Sequence, residues 1–101
     1  MKDRVDQTKA LASEARQSIL RWLAEPKAHF SHQTTGPPEK MGVCVTLLTE
    51  KLGMAQPTVS QHLDLLRRAG FVRAEKVGRW SYYQRDEAAI AEYKDWLNDT
   101  L

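Results

Sequence analysis

A mainly helical fold carrying one small β-hairpin (α+β) is what the order of residue patterns in this chain predicts. Three observations carry that expectation. Apolar residues recur at three- and four-residue steps near both ends and through the middle of the chain. A tight Gly53-Met54-Ala55 turn separates two of the central helical patterns. Strand-forming residues then flank Gly78. The resulting order is four helices, a hairpin and a fifth helix, which is a winged helix-turn-helix.

The chain has 101 residues, enough for one core, so a single domain over 1–101 is expected. An apolar fraction of 42% and three Trp residues argue against disorder. No apolar run approaches the ~20 residues of a membrane span, and charges alternate where a signal peptide would have its apolar core. No membrane partner is therefore expected. The one cysteine cannot form an internal disulfide, which suits a cytoplasmic location.

The first helical stretch places Val5, Thr8, Leu11, Ala12, Ala15, Ile19, Leu20 and Leu23 on one side. Ser13, followed by Glu14, suits the start of a second helix within it, so a break near Ala12-Ser13 is expected. Pro26 is expected to end this stretch. Residues 26–42 hold Pro26, Gly36, Pro37, Pro38 and Gly42 and read as a long irregular loop, inserted into the domain. A short helix over about Val45 to Leu52 follows, with Gly53 placed to cap its C-terminus. Gln56 and Pro57 open the next helix, where a proline without an N–H costs nothing. Its residues Val59, Leu63, Leu66 and Ala69 repeat on a core-facing stripe up to Gly70.

Opposite that stripe lie Pro57, Ser60, Gln61, Asp64 and Arg68, so the outer face of the first two turns is short, uncharged and rich in hydrogen-bonding groups. Gln suits the paired donor and acceptor of an adenine edge, and Ser and Thr hydroxyls suit base edge or phosphate. Long cations that grip backbone without reading sequence come only later, as Arg67 and Arg68. The hairpin of Phe71 to Gln84 turns at Gly78, where positive φ is needed, with Lys76 and Arg79 beside the tip. Two cations there suit phosphate or a narrow minor groove. Trp80 and Tyr83 read as core and strand-pair residues instead of base-stacking platforms.

The net charge of +2 conceals an uneven distribution. Residues 56–85 hold Arg67, Arg68, Arg73, Lys76, Arg79 and Arg85 against Asp64 and Glu75 alone. Residues 86–101 hold only Lys94 against Asp86, Glu87, Glu92, Asp95 and Asp99. A basic middle and acidic end fit a protein with one face for a polyanion. The final segment, 87–101, aligns Ile90, Tyr93, Trp96, Leu97 and Leu101 on one side. Pairing of the terminal helices with a second copy buries this stripe as a homodimer and sets two reading helices about one DNA turn, ~34 Å, apart.

These motifs resemble a known family. The run Ala10-Leu11-Ala12-Ser13-Glu14-Ala15-Arg16-Gln17-Ser18-Ile19-Leu20-Arg21-Trp22-Leu23, then Gln56-Pro57-Thr58-Val59-Ser60-Gln61-His62-Leu63, Leu66-Arg67-Arg68-Ala69-Gly70-Phe71-Val72 and Gly78-Arg79-Trp80-Ser81-Tyr82-Tyr83, is similar to the ArsR/SmtB family of bacterial transcriptional repressors. The resemblance implies a homodimeric winged helix that binds double-stranded DNA at an inverted-repeat operator and leaves when an inducer, often a metal ion, binds. By position it implies that Gln56, Pro57, Thr58, Ser60 and Gln61 contact bases and backbone and that Lys76 and Arg79 form the wing. Ala55 departs from the Ser of many relatives, so a small loss of helix capping is expected.

The sensor region diverges further. Arsenic-responsive members carry a Cys-Val-Cys motif and a further Cys before the reading helix; three thiolates suit a soft, trigonal ion. Here Val43-Cys44-Val45-Thr46 keeps only Cys44. The C-terminal segment lacks the His ligands of the zinc- and cobalt-sensing members. His29, His32 and Cys44 form the remaining candidate metal set, fit for zinc or copper with one added ligand; the plainer reading is two surface histidines and a half-buried thiol. A redox role for Cys44 requires an electropositive, exposed setting that the sequence does not show. His62 reads as a packing or hydrogen-bonding residue. No Gly-rich phosphate loop, nucleophile elbow or carboxylate pair beside a base occurs, which argues against an enzyme. The competing class is a winged-helix protein–protein module that binds no specific DNA.

Overall fold

The computed structural model describes residues 3–101, so the expected domain bounds include two residues outside the described ones. The chain runs α1 (Arg4–Ala10), α2 (Glu14–Ala24), α3 (Pro26–His29), α4 (Pro38–Met41), β1 (Val43–Cys44), α5 (Val45–Leu52), α6 (Gln56–Arg68), β2 (Val72–Val77), β3 (Trp80–Arg85) and α7 (Glu87–Thr100). The break before α2 follows from Ser13, whose side chain accepts from the Arg16 backbone N–H and so caps the helix. Asp3 and Asp86 do the same for α1 and α7.

The core gathers one face from each longer helix. Ile19, Phe30, Val43, Leu48, Val59, Leu63 and Leu66 have no exposed area. The α6 stripe falls where the four- and three-residue spacing puts it, with Ala69 buried at its end. Three apolar positions expected on the core side do not join it: Val5, Ala12 and, just past the end of α7, Leu101 are exposed. Thr8 is exposed, yet its hydroxyl meets the Tyr93 hydroxyl at 2.7 Å, tying α1 to α7.

Residues 26–42 are not irregular throughout. Pro26 opens the one-turn helix α3 and Pro38 opens α4, each proline sitting in the first turn, where no N–H partner is needed. The expected two-stranded hairpin is also larger: β1 joins it to make an antiparallel sheet in the order β1-β3-β2. Val43 pairs with Tyr83 and Cys44 with Tyr82, so Cys44 lies in a strand at the N-cap of α5 and outside the helix. The hairpin register matches Val77 to Trp80 across Gly78 and Arg79. Gly78 alone of the two has positive φ, the pattern of a II′ turn.

Between α5 and α6, Gly53 takes the left-handed conformation (φ +67°) and donates its N–H to the carbonyls of Thr49 and Glu50. That closes α5 and turns the chain into α6 within three residues. Ala55 stands at the α6 N-cap in extended conformation, with no side-chain hydrogen bond to the free N–H groups of the first turn. Ala55→Ser should therefore stabilise the fold by about 1 kcal/mol, seen as a higher urea midpoint at unchanged m-value.

Candidate nucleic-acid interface

The outer face of α6 begins at a helix N-terminus and stays free of charge for two turns. Gln56, Pro57, Thr58, Ser60 and Gln61 are all exposed, and among the described residues none of their side chains hydrogen-bonds within the chain. Val59 and Leu63, one turn apart on the reverse side, are fully buried and hold this face outward. The structure thus brings the five expected reading residues onto one surface.

The cations divide into two groups. Arg67 and Arg68 both pair with Asp64, each at 2.8 Å, so the last turn of α6 carries its own counter-charge. The hydrogen bond from Arg67, helped by the charge of both arginines, holds the Asp64 carboxyl below its usual range. Lys76 and Arg79, at the hairpin tip, make no salt bridge among the described residues, and both are exposed. Arg79 lies over the Trp80 ring at 5.9 Å. Trp80 pairs with Val77, as a strand residue should, but it is 43% exposed and belongs to no core. It lies outside the buried core, at the edge of a cavity shared with Leu47 and Tyr82. Tyr83 does pack against the core, and burial raises its phenol.

Behind the reading face, two polar contacts fix α6 that patterning alone did not single out. Gln7, buried at 2% exposure, donates from Nε2 to the Ala69 carbonyl at 3.0 Å. Arg16 donates from Nε to the Ala10 carbonyl at 2.6 Å and from Nη1 to His62 Nδ1 at 2.9 Å. A guanidinium has no acceptor, so Nδ1 must accept and the ring proton sits on Nε2. His62 does make the hydrogen bond its sequence position suggested, whereas the only signal for Gln7 and Arg16 was a polar residue lying on an otherwise apolar helical side.

The expected metal candidates are not assembled into a site. His29 and His32 flank Phe30, their rings each 6.5 Å from its centroid. His32 and Cys44 line one cavity. Among the described residues, no three His, Cys, Asp or Glu side chains are grouped so as to hold a metal ion. No helix among them is long and apolar enough to cross a membrane.

A short helix, a three-residue turn, an outward-facing polar helix and a basic hairpin define the class: this is a winged helix-turn-helix DNA-binding protein. Residues 43–74 match the family model described as bacterial regulatory protein, arsR family. The chain is 45% identical over 93 residues to the HTH-type transcriptional regulator YbzH of Bacillus subtilis, covering 92% of this chain and 93% of that one. It is 40% identical over 42 residues to the arsenical resistance operon repressor of Escherichia coli, covering 42% and 36% of the two chains. A crystal structure of an ArsR family transcriptional regulator superposes with a TM-score of 0.72 at 22% identity, over 97% of this chain and 92% of the other. The chain belongs to the ArsR family of transcriptional regulators; it is not an enzyme.

Desolvation, and after it the charge of Arg16, lowers the His62 pKa from its usual 6.5. The unfolded chain therefore takes up a proton before the folded one does. The stability this group supports is lost as pH falls through 6.5 toward the lowered value. His62→Gln, which keeps a polar side chain that does not titrate, should lose less stability over that window than the wild type, as urea unfolding on either side of the histidine range will read.

Proposed function

We propose that this regulator is a cytoplasmic repressor that binds an inverted-repeat operator as a homodimer and leaves it in response to a signal. One α6 from each copy enters successive major grooves, and the wings rest on phosphate. The observation that carries the reading is the exposed polar face of Gln56, Thr58, Ser60 and Gln61, unpartnered among the described residues, beside a hairpin tip whose cations make no salt bridge among them. Side chains that satisfy nothing within their own domain are free to meet base edges. Repression is supported by the operon repressor to which the chain is similar.

The dimer reading rests on the terminal helices. Arg4 bridges to Glu92 at 3.2 Å and lies over the Trp96 ring at 5.6 Å, so α1 and α7 pack together within one chain. Beside them an apolar groove of about 290 Å³ stays open, lined by Leu11, Leu20, Phe71, Ile90, Tyr93 and Leu97 among others. A second copy related by two-fold symmetry covers it with the same surface. Leu97→Arg should convert the dimer to a folded monomer, read by light scattering with circular dichroism as the control.

Operator binding tests the reading surface. Against an inverted repeat selected from random duplexes, Gln61→Ala should cost roughly 1–3 kcal/mol at its cognate base and relax discrimination there. Arg79→Ala should weaken binding to all sequences and reduce the salt slope by about 1. Both variants binding as tightly as wild type would show that the surface is wrongly assigned. Failure to select any duplex would favour a winged-helix module that recognises protein instead.

A further inference from the structure

We propose that the cavity between residues 32–35, the start of α5 and the wing strand β3 is a ligand site for a small, uncharged aromatic molecule, and that its occupancy is transmitted to the wing. The cavity measures about 240 Å³, and its walls include Thr35, Cys44, Thr46, Leu47, Trp80 and Tyr82. No carboxylate, lysine or arginine lines it, and His32 at the rim is its one basic side chain. An ionised ligand would find no permanent counter-charge among these walls to offset the hydration it gives up. A neutral ring with one hydrogen-bonding group fits both the apolar walls and the hydroxyls among them.

The walls are built, not incidental. Gln33 donates from Nε2 to the carbonyls of Gly36 and Gly42 and accepts at Oε1 from the Cys44 N–H, each at 3.0 Å. Tyr82 donates its hydroxyl proton to Thr35 Oγ1 at 3.0 Å. Gly42, at φ +92°, lets the chain run so close to β3 that a Cβ would stand 2.8 Å from the Tyr83 carbonyl oxygen. The segment that looked like a loose loop is thus pinned to the sheet and forms a preorganised wall. Trp80 supplies a large ring that no core residue covers, and rings pair favourably in offset or edge-to-face contact.

The position gives the site its consequence. Trp80 follows Arg79 directly and pairs with Val77, the neighbour of Lys76. Thr46 and Leu47 stand in the first turn of α5, the helix that leads through Gly53 into α6. A ring seated on Trp80 therefore touches the wing and the helix-turn-helix together. A ligand shifts an equilibrium only by its preference for one arrangement of such parts.

The test uses p-cresol as the probe and the free protein as the target, so binding is read independently of DNA. In ¹H–¹⁵N correlation spectra, saturable shifts are expected at the Trp80 indole N–H and at the Cys44 and Tyr82 amides, with the Trp22 and Trp96 indoles unmoved. Trp80→Ala should weaken binding about tenfold. Leu47→Trp should fill the cavity and abolish binding, and p-toluate, the charged analogue, should not bind. Absent or diffuse shifts, undiminished binding in both variants, or equal binding of p-toluate would overturn the site. The coupling rests on the operator-binding reading. With a selected operator, p-cresol should lower wild-type affinity and leave Leu47→Trp unaffected. Unchanged affinity at a saturated cavity would overturn the coupling alone.

Discussion

The polar outer face of α6 is presented to solvent only because the helix is held from behind. Val59, Leu63 and Leu66 have no exposed area, and their burial fixes the rotation of α6 about its own axis. Fully burying three such side chains favours this rotation by roughly 1.5–3 kcal/mol each. Rotation by one residue, about 100°, would send the stripe toward solvent and the polar face inward. Apolar contact alone sets rotation more firmly than position along the axis. Gln7 on the Ala69 carbonyl and Arg16 on His62 supply that second constraint, because hydrogen bonds have direction and length. The outer face can then remain free of internal partners while its backbone stays fixed, as base-edge recognition demands.

The wing is anchored by the same logic. A two-stranded hairpin is marginal alone in water, and here β1 adds a third strand at its root. Gln84 reaches from β3 to the Lys40 carbonyl at 2.7 Å, and Arg85 donates to the Leu20 carbonyl at 3.0 Å. The sheet is therefore tied to α2 and to the 26–42 segment near its base and left free at its tip. The anchoring contacts thus lie toward the base of the ribbon, and the exposed cations Lys76 and Arg79 stand at its tip.

The sequence was most legible where one physical rule acted alone. The α6 stripe, the Ser13 cap, the Gly53 turn and the Gly78 hairpin each follow from local geometry, and each stands where local geometry puts it. The outward placement of Gln56, Pro57, Thr58, Ser60 and Gln61 on α6 was legible for the same reason. Legibility failed where distant partners decided the outcome. Breaker residues marked 26–42 as irregular, yet Gln33 organises that segment through Gly36, Gly42 and Cys44, up to eleven positions away. The pairing of β1 with β3 joins residues some forty positions apart, beyond any periodicity. Trp80 was misread because aromatic composition gives strand preference without saying where the strand leaves the core.

Asp64 has a consequence beyond its geometry. An arginine alone on a protein surface attracts DNA phosphate anywhere, whatever the bases beside it. Arg67 and Arg68 already share a carboxylate, so a phosphate must compete with Asp64 before either can grip it. A carboxylate placed there acts as an internal toll on indiscriminate attachment. If the proposed operator binding holds, the wing, whose Lys76 and Arg79 make no salt bridge among the described residues, makes the first electrostatic approach, while the far end of α6 commits only where the whole helix is seated. On the proposed operator-binding reading, two pairs of cations with equal formal charge are thus set apart by their neighbours, one to approach DNA and one to release the wrong stretch of it.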